Sequence, residues 1–299
     1  MTLVLSTVIA GLLGLAFGSF LNVCVSRWPE EESVLAPRSY CQNCERTLKW
    51  WENIPVLSWL VLRGRCRTCH ARIGWRHLIV ELAVGGLWAY TVWQTLTSTE
   101  PQSFEALPYT AMLNALAQMI FLWLLVGLAA LDAENLWLPD RLTIPGIFLG
   151  FFLCLAYPAL DTYYISGSFA EWQHRTGVSI SHWFLGIVIM TGLIVVIRFA
   201  YRVVRHRDGI GAGDVKLMAM LGGWLGYVSV RVALLAFVIG VVTAALYGLL
   251  LCTKPTLRGD GETWLEEKVP FGTFLSLGGI VSGLWGVPIV ALYMRWAGI

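Results

Sequence analysis

Charge is scarce in this sequence. Lys, Arg, Asp and Glu make up 13% of its 299 residues, against 57% hydrophobic residues, and the mean hydropathy is +0.67. A soluble domain carries about 25% charged residues, so an ordinary water-solvated globule is excluded and membrane lipid is the expected surrounding. The net charge of +2 says little about partners, and no nucleic-acid partner is expected. Basic residues are also missing ahead of the first apolar run, whose first cation, Arg27, follows it. A cleaved signal peptide has the opposite layout, so that run reads as a retained helix entering from outside.

Apolar stretches approaching the roughly 20 residues of a membrane span recur along the chain. Eight are expected: Leu3 to Val25, Leu78 to Leu96, Ala111 to Leu131, Leu142 to Leu160, Trp183 to Ala200, Val215 to Val230, Val232 to Leu251 and Phe271 to Tyr293. The sixth is short and is interrupted by Gly222 and Gly223, which leaves a re-entrant or tilted segment open. Threading the spans from an outside start puts 18 Lys/Arg on the cytoplasmic side and leaves Arg175, Arg231 and Arg295 outside. That asymmetry follows the positive-inside rule. The expected fold class is an all-α polytopic membrane protein with about eight transmembrane helices and a small cytoplasmic zinc-binding insertion. Its expected parts are a first transmembrane helix (1–25), a cytoplasmic region (26–77) and a transmembrane domain (78–299).

The polar insertion is too short for a large core and needs a staple. Cys41, Cys44, Cys66 and Cys69 form two C-x-x-C pairs separated by 21 residues. Four thiolates in two knuckles suit a structural, tetrahedral Zn²⁺ with no open position, and a cytoplasmic loop disfavours the disulfide alternative. Cys24, Cys154 and Cys252 stand singly in apolar surroundings and read as packing.

Acidic residues beside spans are costly and mark a partner or a task. Asp132 follows the run ending at Leu131, and Asp214 ends Gly209-Ile-Gly-Ala-Gly-Asp at the threshold of the sixth span. Both fall at cytoplasmic helix ends, so residues 82 positions apart in sequence can face each other. Two carboxylates sharing a proton provide an acid and a base, the pairing that activates water against a peptide carbonyl, with no metal needed for proteolysis. Gly211 and Gly213 give backbone freedom beside Asp214 and room for a substrate strand, although a plain loop-to-helix junction needs glycine too. Lys216 either biases the pair's charge or snorkels to the interface. Helix capping is the competing role for an aspartate, and Asp140, after Pro139, suits it better than Asp132. Glu134 and Asp208 read as solvated loop residues.

Taken together, Gly18-Ser19-Phe20-Leu21-Asn22-Val23, Arg27 with Pro29, the C-x-x-C pairs, Asn53-Ile54-Pro55 with Ser58-Trp59-Leu60, and Gly211-Ala212-Gly213-Asp214 resemble the type IV prepilin peptidases, in the same order and over nearly the whole chain. The resemblance implies a GxGD-type membrane aspartic protease of the bacterial cytoplasmic (inner) membrane. Its catalytic aspartates would be Asp132, eight residues before the Asp of the Leu-Pro-Asp turn, and Asp214. The implied activity is removal of the basic leader from type IV prepilins or type II secretion pseudopilins at the cytoplasmic face. It further implies that the new N-terminal residue is methylated with S-adenosylmethionine. No strand-loop-helix glycine fingerprint is present, so a methyl-donor pocket must be of another kind; Asn22, Arg27, Glu52, Asn53 and Glu81 are its candidate residues, each with a purely structural role as the alternative. Two other classes remain open: a proton-coupled transporter, and a non-catalytic zinc-ribbon docking component of a secretion machine.

Overall fold

The computed structural model describes residues 2–98, 107–165, 168–206, 211–252 and 269–298. Among these, structure is helical throughout, with no strand beyond two isolated antiparallel bridges, Tyr40 to Thr47 and Arg65 to Arg72. The helices are α1 (Thr2–Arg27), α2 (Leu57–Val61), α3 (Trp75–Ser98), α4 (Leu107–Asn135), α5 (Asp140–Ile165), α6 (Phe169–Arg205), α7 (Ala212–Val228), α8 (Val230–Cys252) and α9 (Phe271–Ala297). Six of them, α1, α4, α5, α6, α8 and α9, are long and apolar enough to cross a membrane. Their outer faces carry exposed side chains such as Phe148, Phe184, Val196, Phe199 and Leu292. Helices satisfy their backbone internally, so such faces tolerate hydrocarbon.

All eight expected spans coincide with helices. α7 is unbroken across Gly222 and Gly223; at 17 residues it is about 25 Å long, short of a bilayer core of about 30 Å. Its glycines serve packing. Cβ positions at Gly222 and Gly226 would collide with the backbone of α6 around Gly186, so α6 and α7 touch main chain to main chain. α6 begins at Phe169 instead of Trp183, because Ser168 caps it by accepting the Glu171 N–H (3.2 Å) and Glu171 pairs with Arg175 one turn on (2.9 Å). α4 likewise runs past Leu131 to Asn135, ending where Leu136 takes a left-handed φ of 51°, so Asp132 lies within its last turn instead of after it.

The chain divides into two compact units, Met1–Ala130 and Leu131–Ile299. In the first, α1 lies along α3 through small residues: a Cβ at Gly14 would come within 2.8 Å of Gly85 Cα, and one at Gly18 within 2.8 Å of Glu81 Cα. This close approach sets Asn22, one turn beyond Gly18, beside Glu81. The Trp88 and Trp123 indoles then donate to Met119 O (2.9 Å) and Phe17 O (3.2 Å), tying α3 and α1 to α4. In the second unit, Trp224 on α7 donates to Gly146 O on α5 (2.7 Å), and α8 packs on α9 through Gly278 and Gly240.

Candidate active site and metal centre

The metal centre is built from two local knuckles. In the first, Cys41 donates its N–H to Arg46 O (3.0 Å) and Glu45 returns one to Cys41 O (2.8 Å). The second repeats the pattern with Cys66 to Ala71 O (2.9 Å) and His70 to Cys66 O (3.0 Å). Each knuckle turns through a left-handed residue, Glu45 or His70. All four sulfurs lie within 4.8 Å of one another, and Cys41 and Cys69 are 3.7 Å apart. Zn–S bonds of 2.3 Å in a tetrahedron require sulfurs about 3.8 Å apart, so the set fits zinc. Backbone N–H groups of Cys69 and Thr68 bring the Cys66 thiol down to about 6. Although the Arg46 N–H favours its thiolate, burial and the neighbouring thiols hold Cys44 up at about 11. A divalent cation relieves that crowding. His70 is not part of the cluster.

The carboxylate centre lies within the second unit. Asp132 is 5% exposed. Its Oδ2 accepts from the Thr273 N–H (2.7 Å) and hydroxyl (3.2 Å) at the start of α9. Asp214, half-buried in the first turn of α7, accepts the Gly211 N–H at 3.1 Å. It precedes the apolar part of α7 and lies outside the six spans. Burial, followed by the charge of Asp132, pushes its carboxyl up to about 6. The two aspartates are therefore within electrostatic reach.

Leu138 of the Leu-Pro-Asp turn packs against the two glycines that flank them. A Cβ at Gly213 would lie 2.9 Å from Leu138 Cβ, and one at Gly272 would lie 2.8 Å from Leu138 Cδ1 and 3.1 Å from the Asp132 carboxyl carbon. Thus the space at Gly213 is taken by Leu138, while the space beside Gly211 faces Asp214 Oδ2. Lys216 points to neither aspartate: its ammonium pairs with Asp140 Oδ1 at 2.5 Å, joining the first turns of α7 and α5. Asp140 is the first residue of α5, engaged by that lysine. Glu134 is exposed on the last turn of α4, and Asp208 lies outside the described residues, as does the side chain of Cys252. Cys24 and Cys154 are fully buried, as expected of packing residues. Sequence reasoning missed Gly272 and Thr273. Their signal was Pro270-Phe-Gly-Thr opening the last apolar run, a proline and glycine where a helix starts.

The five residues proposed for methyl transfer fall into two groups in the first unit. Arg27 is occupied by the carbonyls of Ser33 and Pro37 (2.9 Å each) and stacks over Tyr40, so it closes the loop after α1. Glu52 accepts from Arg46 (3.0 Å) and the Lys49 N–H (2.9 Å), contacts that hold its carboxyl below the usual carboxylate range. Asn53 is exposed. Asn22 and Glu81 are brought together and both are buried. Glu81 accepts the Val56 N–H at 2.7 Å, where the chain takes an unusual φ of 62°, and Asn22 donates to His77 O at 2.9 Å. Asn22 Oδ1 and His77 Nδ1 are buried without a protein partner.

Fold and site define a class: a multi-pass helical membrane protein with a paired-carboxylate centre in one unit and a four-thiol knuckle in the other. Comparison with known proteins gives the family. The model of the bacterial peptidase A24 N-terminal domain matches residues 12–95, and that of the type IV leader peptidase family matches residues 119–249. A prepilin leader peptidase/N-methyltransferase of Burkholderia pseudomallei is 32% identical, over 94% of this chain and 85% of its own. One from Pseudomonas putida is 30% identical, over 97% and 94%. A type 4 prepilin-like proteins leader peptide-processing enzyme of Escherichia coli is 31% identical, over 92% of each chain. No solved structure matches. The chain belongs to the type IV leader peptidase family and is a multi-pass protein of the inner membrane.

Proposed function

We propose that this protein removes the basic leader of type IV prepilins, or of type II secretion pseudopilins, and then methylates the exposed N-terminus. The observation that carries the peptidase half is that Asp132 and Asp214 lie within electrostatic reach of each other, with Leu138 packed on the glycines beside them, in a chain of this family. One aspartate takes a proton from water while the oxygen of that water bonds to the scissile carbonyl carbon. The other donates its proton to the carbonyl oxygen; proton return to the amine then breaks the C–N bond. No metal is required in these steps. The excess of Lys/Arg in the loops between spans supports a cytoplasmic active site and zinc region and a periplasmic N-terminus. Family membership removes the support for a transporter or a docking protein.

Methyl transfer is assigned to the first unit and peptide cleavage to the second. S-adenosylmethionine, when bound, supplies an electrophilic methyl group. Buried Glu81 and the unpartnered Asn22 Oδ1 offer acceptors to a substrate amine, which suits them to the methylation site better than Arg27, Glu52 or Asn53. The knuckle staples this region without a catalytic part. The test is cleavage of a leader-bearing prepilin peptide by the purified full chain in detergent. Asp132→Asn and Asp214→Asn each lose at least about a thousandfold in rate, the upper range for acid-base groups. Full activity in either variant refutes the pair.

A further inference from the structure

The two aspartates are held unequally. Asp214 receives one backbone donor, from Gly211, the residue that caps its own helix, whereas Asp132 receives the Thr273 N–H and hydroxyl on a single oxygen, and the Gly272 N–H is directed at the same carboxylate. These donors open α9, whose N-cap residue, Pro270, makes no side-chain cap bond. Asp132 therefore caps a helix 141 positions further along the chain. Free N–H groups and the positive end of a helix favour the ionised form of a carboxylate seated on them.

We infer, resting on the aspartate pair proposed above, that the first turn of α9 belongs to the catalytic apparatus: Gly272 and Thr273 are positioning residues that keep Asp132 as the charged member, leaving Asp214 to carry the proton. Asp132 is then the base that takes the proton from water, and Asp214 the acid that protonates the carbonyl oxygen. Other charges around the pair do not reverse this order. Arg198 on α6 acts on Asp214 and opposes its protonation, but burial and Asp132 outweigh it. Asp140 on α5 is engaged by Lys216 on α7, and Glu134 on α4 is exposed. α8 and α9 carry one charge each, Arg231 and Arg295, and Arg295 stands in the last turn of α9, at the end opposite Thr273. A methyl group at 272 would press on both the Asp132 carboxyl and Leu138.

The experiment measures kcat/KM for leader-peptide cleavage from pH 5 to 9 with the full chain in detergent, comparing wild type, Thr273→Ala, Thr273→Ser and Gly272→Ala. Thr273→Ala keeps the backbone donor and loses the hydroxyl. Its kcat/KM falls about tenfold at the acid end and its acid limb moves up by about one pH unit, the order expected for one hydrogen bond to a charged group. Thr273→Ser restores both. Gly272→Ala loses cleavage while still methylating a peptide that already begins at the mature N-terminus, which reports an intact chain. A fall in Thr273→Ala that is equal at every pH, failure of serine to restore the profile, or wild-type cleavage by Gly272→Ala overturns the inference. Asp132→Asn and Asp214→Asn run alongside: if either cleaves normally, the aspartate pair itself has failed, whatever the Thr273 profile shows.

Discussion

The thiol knuckle of the first unit and the carboxylate centre of the second are both clusters of polar groups in an apolar chain, yet they are assembled in different ways. Each half of the knuckle is a short turn that its own backbone closes, with partners nine residues apart or fewer. The carboxylate centre takes Asp132 from the end of α4, Leu138 from the turn after it, Asp214 from α7, and Gly272 with Thr273 from α9. A local cluster needs one strong tie to hold its halves together. A distributed one needs every helix in place, and here small residues provide the closeness: Gly213 and Gly272 admit Leu138, and Gly186, Gly222 and Gly226 let α6 and α7 meet.

That contrast can be broken from either side. The largest effect is expected from substituting Cys41 and Cys44 together by Ser. Structural zinc contributes apparent binding energies on the order of 10 kcal/mol, so the 39–73 region unfolds. Methylation of a peptide with a mature N-terminus is lost, while leader cleavage by the second unit persists. Measuring both activities on one preparation checks this; equal loss of both would mean that the carboxylate centre depends on the knuckle. Next comes Gly213→Ala, which drives a methyl group into Leu138. Overpacking of this kind costs about 1–3 kcal/mol, and cleavage falls roughly ten- to a hundredfold with zinc content unchanged.

A smaller effect concerns stability. The Asp214 carboxyl is held up at about 6 in the folded chain, above its ordinary value, so the unfolded chain gives up this proton first as pH rises. Its contribution to stability is therefore lost between about pH 4 and 6 and stays lost above. Asp214→Asn removes that penalty and melts higher than wild type at pH 8, by a margin that shrinks as pH falls toward 4. Thermal melts in detergent across that range test it, and a variant that melts lower at pH 8 contradicts the burial of Asp214. The smallest effect belongs to the Lys216–Asp140 pair. Both side chains are substantially exposed, and such pairs are worth about 0–1 kcal/mol. Asp140→Asn and Lys216→Met leave cleavage within about fivefold of wild type. A loss comparable to Asp132→Asn would move the catalytic role to Asp140.

Legibility in the sequence followed the range of the interactions. The spans could be read because twenty apolar residues in a row have one stable solution in lipid, and the zinc set because two C-x-x-C pairs carry their geometry locally. Asp132 and Asp214 stood out because a carboxylate at the edge of an apolar run is expensive. Their supports did not. Thr273 is an ordinary residue at the head of an apolar run, and its part depends on a contact 141 positions distant. Lys216 looked like a modifier of Asp214 by sequence proximity, but its side chain turns to Asp140 on another helix. Arg27 and Glu52 stood out as polar residues in or beside the family-like stretches, and only their contacts separate loop closure from a place beside Asn22 and Glu81.

By itself, then, the sequence determined that this protein lives in a membrane, that its polar insertion carries four cysteines spaced to hold a metal ion, and which two aspartates lie at helix ends. These follow from composition and from spacings shorter than a helix. Only the tertiary structure decided how the aspartates are held: Leu138 fitting between two glycines, and the N–H groups of α9 closing on Asp132. A helix leaves its first donors unsatisfied whatever its sequence, and which acceptor reaches them is settled by packing alone.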